Sequence, residues 1–370
     1  MTNNRQMNIV FIGAYDTPDF GGINSYMLNL SKQLERMGHK CIILRQSNRN
    51  YETVIEEICF VNIKTRGGII GMFELYSKAA KLLRQGTYHC DVACFQDFLY
   101  APVVGRKLIK QGVLTCYLQH SFACDNPKNP KWMYFAEILL TKISLFFTKN
   151  TITVGESIAE LMRKRLHINP EIVRGGIFMP SDKLQLSDRL KNIEKDEYFL
   201  TIARIDPVKK IDILIDGFLK YKGNKKLVIG GNVNNDYGRM LVEKAKNDKR
   251  IIFMGAVSGD VKNFLLKNCF GYCLVSSSEG FPISLLEAMA FGKRCITSNI
   301  PQIEEAISKE LGVWCEVGSS EDITKSLQKL ESDQHRAENE DKIRSRVKAN
   351  FTWEASANSF LKVIEKFKVH

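Results

Sequence analysis

Along this chain, short apolar runs alternate with segments of helical period, and the alternation occurs twice. MNIVFIGAY (7–15) is an apolar run that passes into DTPDFGG. NSYMLNLSKQLERMG (24–38) then sets Tyr26, Met27, Leu30, Leu34 and Met37 at helical spacing before Gly38. Apolar positions three and four apart build one helix face, and a following glycine ends the helix. CIILRQ (41–46) reads as the next strand, and DVACFQ (91–96), VLTCYLQ (113–119) and TITVG (151–155) as further strands with helices between them. Strand, glycine turn, helix and strand in that order open a parallel α/β domain.

Residues 181–197, SDKLQLSDRLKNIEKDE, are polar and charged and lack a strong apolar period, so they read as an interdomain linker. After them the pattern restarts with strands YFLTIAR, KLVIGGN, RIIFMGAV, FGYCLVSSS and KRCITSN and with helices between. The expected division is a first domain over 1–180, a linker over 181–197 and a second domain over 198–352. An amphipathic helix, WEASANSFLKVIEKF (353–367), closes the chain. Parallel sheets bind ligands outside the carboxyl ends of their strands, so two such domains would form a cleft between those edges.

Composition fits this reading. The 370 residues are 44% hydrophobic and 25% charged, which is a globular balance at two-domain length. Ten cysteines include no C-x-x-C pair, and most lie in apolar runs, as Cys41 and Cys273 do. They read as small buried hydrophobes in a reducing compartment, not as a disulfide or zinc framework. His39, His89, His167, His335 and His370 show no metal spacing with one another. No stretch of membrane-spanning length is free of charge, and the start passes directly into a strand without a cleavable signal. The expected location is cytoplasmic, soluble or peripheral on a membrane.

Charge adds one question. The net charge is +12, and residues 101–180 hold 11 Lys and Arg against five Asp and Glu. An anionic lipid surface, a nucleic acid or solvent alone would each suit such a balance. No aromatic–basic ribbon or nucleic-acid module appears, so nucleic acid is not expected. Residues 130–149 are strongly apolar, with Trp132, Phe135, Phe146 and Phe147 between lysines 131, 142 and 149. That pattern suits either an interfacial helix on an acidic membrane or a buried helix.

The densest chemistry lies in SSSEGFPISLLEAMAFGKRCITSNIP (276–301). Pro282 stands at a natural first-turn position, where its missing N–H costs the helix nothing. The amides of Ile283 to Leu285 would then face open space at the positive end of the helix dipole, an arrangement suited to phosphate. Glu279 precedes the helix, and Glu287 lies roughly 7–8 Å along it at about 1.5 Å per residue. At helical spacing Glu287 has Ile283, Ser284, Ala290 and Phe291 as neighbours, with no cation among them. It is either an ordinary solvated residue or a ligand contact, and a nucleotide-diphosphate sugar has the length to meet all three features. Arg204 and Lys209, after the strand YFLTIAR, would together neutralise a diphosphate without metal, or else are plain surface cations. If a helix begins near Pro207, its first-turn lysines face an unfavourable dipole that an anion would relieve. Gly21 and Gly22 form a turn where backbone could approach a ligand, with no G-x-G-x-x-G present. His120 ends a strand and is either an active-site or a structural histidine.

EGFPISLLEAMAFGKRCI resembles the glutamate-x7-glutamate signature of the family 4 glycosyltransferases. ARIDPVKKIDILIDGF resembles the family's arginine…lysine segment, FGGINSYMLNLSKQLERMGH its glycine loop and first helix, and IIFMGAVS the strand and turn before the signature. The resemblance implies a GT-B fold, two Rossmann-like α/β/α domains facing across a cleft, with the last helix (353–370) packing back on the first domain. It implies retaining, metal-independent transfer from a nucleotide sugar to a lipid-linked or glycan acceptor. A small soluble acceptor, or nucleotide-sugar binding without turnover, are the alternatives. Carried over, Glu287 would hold the ribose hydroxyls and Glu279 the transferred sugar. Arg204 and Lys209 would neutralise the diphosphate, helped by amides at Ile283 and Ser284. Gly280, Phe281 and Pro282 would line the donor, Gly21 and Gly22 would close over it, and His120 would lie near its sugar. The chain departs from the family where Pro282 replaces a glycine, where VRGGIFMP stands for an Asn-Gly segment, and where Gln96 replaces a histidine.

Overall fold

The computed structural model describes residues 6–15, 22–96, 101–120, 131–145, 150–180, 194–279 and 281–369. By internal contacts the chain divides into two compact units, Met1–Gly175 with Trp353–His370, and Gly176–Thr352. Most of the expected linker, 181–193, lies outside the described residues. Gly176–Pro180 joins the second unit, because Ile177 N–H donates to Phe351 O at 2.9 Å and bridges Thr352.

The first unit contains β1 (Asn8–Tyr15), α1 (Gly22–Arg36), β2 (Lys40–Ser47), β3 (Tyr51–Ile55), β4 (Ile58–Lys64), α2 (Gly68–Arg84), β5 (Val92–Phe95), α3 (Ala101–Ile109), β6 (Leu114–Gln119), α4 (Lys131–Leu145), β7 (Thr151–Thr153), α5 (Glu156–Leu166) and β8 (Glu171–Ile172). Its sheet runs β3-β4-β2-β1-β5-β6-β7-β8, parallel except for the β3–β4 hairpin. The order reverses between β1 and β5, the switch point at which ligands bind in open α/β sheets. β3 and β4 are additions to the sequence reading. The alternating exposure of YETVI marks an edge strand whose outer positions carry no core signal.

The second unit contains β9 (Tyr198–Ile202), α6 (Ile211–Lys220), β10 (Lys226–Gly230), α7 (Asp236–Ala245), β11 (Ile251–Gly255), α8 (Gly259–Asn268), β12 (Gly271–Leu274), α9 (Ile283–Ala290), β13 (Cys295–Ser298), α10 (Pro301–Ala306), β14 (Gly312–Cys315), α11 (Ser320–Glu331) and α12 (Arg336–Asn350). Its parallel sheet has the order β11-β10-β9-β12-β13-β14, the Rossmann arrangement with its switch point between β9 and β12.

Continuous apolar strands follow from burial on both faces. Tyr198, Leu200, Val228, Tyr272 and Leu274 enter one core with Leu285, Leu286 and Ile343. Phe199, Leu227, Ile229 and Cys273 enter the other with Leu214, Leu241 and Leu327. Successive residues of one strand thus divide between two helical layers, as a period of two requires. Each fully buried Leu or Phe contributes roughly 1.5–3 kcal/mol by area.

The last helix, α13 (Trp353–Lys368), belongs to the first unit. Its Phe360 ring lies 5.9 Å from Phe11 of β1, and Trp353 meets Tyr26 of α1 edge-on at 5.5 Å. Among the described residues no helix is long and apolar enough to cross a membrane.

Candidate functional site

The second unit's switch point is built from the segments that leave β9 and β12. Arg204 follows β9 and is exposed, without an ion pair among the described residues. Asp206 then accepts from Val208 N–H at 3.0 Å and caps a short 3-10 turn, Pro207–Lys209. Lys210 takes a left-handed backbone conformation, φ 51°, and α6 starts only at Ile211. The expected helix from Pro207 with first-turn lysines is therefore corrected. The positive φ of Lys210 breaks the turn, and Lys209 stands outside α6.

Two contacts staple this turn to the segment after β12. Ser277 donates to Val208 O through its amide at 2.8 Å and its hydroxyl at 3.1 Å. Fully buried Ser298 donates its hydroxyl to Ser276 O at 2.5 Å, anchoring the same segment to β13. On this frame Lys209 Nζ donates to both oxygens of Glu279, each at 2.8 Å. Ser276 Oγ donates to Glu279 Oε1 at 2.6 Å. The Glu279 side chain is only 8% exposed and Lys209 20%. Paired, hydrogen-bonded charges are the form in which such groups survive burial.

Glu287 departs from its expectation. Its own helix supplies no cation, but Lys262 of α8 donates to Glu287 Oε1 at 2.6 Å. Lys262 is absent from the residues the sequence singles out, since nothing in a 25-residue separation across two helices signals it. Both acids therefore carry protein partners, so an unpartnered carboxylate is no argument for ligand contact here.

The start of α9 also differs. Pro282 is the cap and not the first helical residue. Ile283 N–H donates to Phe281 O at 2.9 Å and Leu285 N–H to Pro282 O at 3.1 Å, so those two expected anion donors are engaged. Of the three amides, that of Ser284 has no backbone acceptor among the described residues. Phe281 packs into the core 6.2 Å from Phe351, and Gly280 lies outside the described residues. Beneath α9, Tyr272 donates its phenol to Ile202 O at 3.0 Å. Burial raises the Tyr272 pKa far above the usual range, so it remains a neutral tie from β12 to β9.

In the first unit the corresponding carboxyl edge carries Gln96 after β5 and His120 after β6. His120 Nε2 donates to Gln96 Oε1 at 2.8 Å, and its ring meets Tyr26 edge-on at 5.1 Å. Desolvation of the ring pushes the imidazole pKa down to about 3, which holds it neutral. Tyr26 donates to Val173 O at 2.9 Å and fixes the wall behind it. Gly13, also unforeseen, has φ 147°, and a Cβ there would stand 2.6 Å from Gln96 Cβ. A side chain at this position would displace the His120 partner. Gly22 opens α1, whereas Gly21 lies outside the described residues. Among the described residues no group of His, Cys, Asp and Glu is placed to hold a metal ion.

Two family models match this chain. Glycosyl transferases group 1 matches residues 182–350, and Glycosyltransferase Family 4 matches residues 20–177. An N,N'-diacetylbacillosaminyl-diphospho-undecaprenol alpha-1,3-N-acetylgalactosaminyltransferase from Campylobacter jejuni is 29% identical over 250 residues, covering 64% of this chain and 63% of that enzyme. A probable sucrose-phosphate synthase from Thermosipho melanesiensis is 23% identical over 408 aligned positions, covering 95% of this chain and 92% of that protein. Among solved structures, an Anabaena protein in complex with UDP and glucose superposes with a TM-score of 0.76 at 15% identity, covering 98% of this chain and all of that one. The two family matches adjoin and span most of the chain, each over one of the Rossmann-like units. The chain belongs to the family 4 glycosyltransferases and has their GT-B fold.

Proposed function

We propose that this protein is a retaining, metal-independent glycosyltransferase. It moves a sugar from a nucleotide-diphosphate sugar to a lipid-linked or glycan acceptor in the assembly of a bacterial surface polysaccharide such as capsule, lipopolysaccharide or exopolysaccharide. The single observation that carries the reading is the Lys209–Glu279 pair at the switch point of the second sheet, 2.8 Å apart. It stands where a Rossmann-like sheet binds nucleotides.

Arg204 and Lys209 neutralise the departing diphosphate, and the Ser284 amide adds a donor, so charge that develops on the leaving group meets preorganised positive ends. Glu279, already oriented by Lys209 and Ser276, contacts the transferred sugar, and Glu287 holds the ribose hydroxyls. His120 keeps the donor-sugar role as a neutral hydrogen-bonding group. In the front-face reaction the acceptor oxygen bonds to the anomeric carbon as the bond to phosphate breaks. The acceptor's proton passes to the leaving phosphate oxygen, so no enzyme nucleophile is required.

The lipid-linked acceptor is supported by the Campylobacter relative and by α4. That helix exposes Phe135 at 68%, Leu139 at 60%, Leu140 at 43% and Ile143 at 47% along one face, with exposed Lys142 beside them. An apolar stripe with basic neighbours suits the surface of an acidic membrane, where the protein would lie peripherally on the cytoplasmic face. The resemblance to a sucrose-phosphate synthase favours the second reading, a small soluble acceptor.

Labelled nucleotide sugars offered with undecaprenyl-diphosphate-linked saccharides or with soluble sugar phosphates separate the two. Label in the organic-extractable product, with the donor's anomeric configuration retained and with EDTA lacking effect, supports the proposal. Transfer only to the soluble acceptors selects the second reading, and wild-type-level transfer by Glu279→Gln contradicts both.

A further inference from the structure

We propose that Lys262 is a positioning residue for nucleotide recognition: it holds Glu287 by one carboxylate oxygen so that the other accepts from a ribose diol. The inference rests on the donor-site reading above and adds a residue to it. Lys262 lies in the second turn of α8 and reaches across to α9, where its Nζ donates to Glu287 Oε1 at 2.6 Å. Both side chains are about a quarter exposed, 27% and 25%, so the pair is accessible from solvent without being freely solvated. Lys262 has no other acidic partner among the described residues.

The geometry divides the carboxylate into two ends. Oε1 is engaged by the ammonium, while Oε2 has no protein donor among the described residues. An ionised carboxylate is an acceptor only, with room for about four hydrogen bonds on its two oxygens. Two adjacent hydroxyls on one sugar ring match what remains. Glu287 also projects from a helix whose residues at helical spacing, Ile283, Ser284, Ala290 and Phe291, offer nothing polar enough to fix its long side chain except Ser284. That hydroxyl makes no hydrogen bond to Glu287 among the described residues. Without Lys262 the Glu287 side chain would sample its rotamers freely, and the diol would have to order it on binding.

This arrangement makes a prediction that a merely structural ion pair would not. Losing Lys262 should weaken discrimination at the ribose more than it weakens phosphate binding. The test is isothermal titration of UDP, GDP and ADP, and of their 2′-deoxy counterparts, against the wild type, Lys262→Met, Lys262→Gln and Lys262→Arg, each checked for unchanged thermal unfolding. The wild type should prefer the ribonucleotide by about tenfold, the scale of one hydrogen bond to a charged group. In Lys262→Met and Lys262→Gln that preference should fall to about twofold or less, with KM for the donor rising more than kcat falls, and Lys262→Arg should restore it. A ribose preference that survives both neutral substitutions overturns the inference alone, whereas a wild type that lacks the preference overturns the ribose role of Glu287 as well. A wild type that binds none of the six nucleotides overturns the donor-site reading and this inference with it.

Discussion

Lys209 donates to both carboxylate oxygens of Glu279 at 2.8 Å, joining two segments 70 residues apart in sequence across the switch point of one sheet. A near-buried pair of this kind is strongly coupled, because removing one member leaves the other charge without its partner. Lys209→Met and Glu279→Gln should each lower kcat by about 10²–10³-fold, the usual loss when a group stabilising transition-state charge is removed. The double variant should fall little further, since residues acting as a unit are not additive. Multiplicative losses in the double variant would show that the two act independently.

Ser276 completes the network by donating to Glu279 Oε1 at 2.6 Å from a fully buried position. Ser276→Ala removes one of the Glu279 donors and leaves the acid less constrained. Stability should fall by about 1 kcal/mol, the net worth of a typical buried hydrogen bond. The turnover number should drop about tenfold on the same scale, while Ser276→Thr keeps the donor. An alanine variant with wild-type turnover would remove Ser276 from the positioning of Glu279.

His120 has its folded-state pKa pushed to about 3 by burial, well below the ordinary histidine value near 6.5. The unfolded chain therefore binds a proton between those values that the folded chain does not. The stability associated with the neutral ring is complete above pH ~6.5 and is lost progressively as pH falls toward about 3. His120→Asn should flatten the fall in stability between pH 7 and 5, measured by urea unfolding. Activity of the wild type should show no titration step near pH 6.5 from this ring. A stability profile unchanged by the substitution would contradict the shift.

The exposed stripe of α4 predicts membrane partitioning. Replacing Phe135, Leu139 and Ile143 together by serine should lower sedimentation with vesicles rich in phosphatidylglycerol by an order of magnitude. Lys142→Glu should lower it more weakly and in a salt-dependent way. Turnover on a soluble acceptor should persist in the serine variant. Equal partitioning of all variants would discard the membrane contact.

What the amino-acid sequence makes legible depends on how far each signal is local. Strands buried on both faces announce themselves as apolar runs, so β1, β2, β5, β6, β9, β10, β12 and β13 are readable from the chain, as is α13. The β3–β4 hairpin is not, because Tyr51–Ile55 is half-exposed and carries no core pattern. At the site, Glu279, Glu287, Arg204 and Lys209 stand out by spacing and by resemblance. Their partners do not, because Lys209–Glu279 and Lys262–Glu287 are tertiary contacts between separate elements. The start of α9 lies one residue beyond its expected place for a local reason. Pro282 accepts from Leu285 and Leu286 through its carbonyl, which is the behaviour of a cap.

The proposed chemistry requires that the second unit grip a nucleotide diphosphate through Lys209. The most direct measurement is thermal unfolding of the wild type and of Lys209→Met across a panel of nucleotide sugars. A ligand present at 100 times its dissociation constant stabilises the folded state by about 2.7 kcal/mol. One donor should raise the wild-type unfolding temperature by several degrees and leave the variant near its ligand-free value. Equal shifts in both proteins, or no shift with any donor, would contradict it.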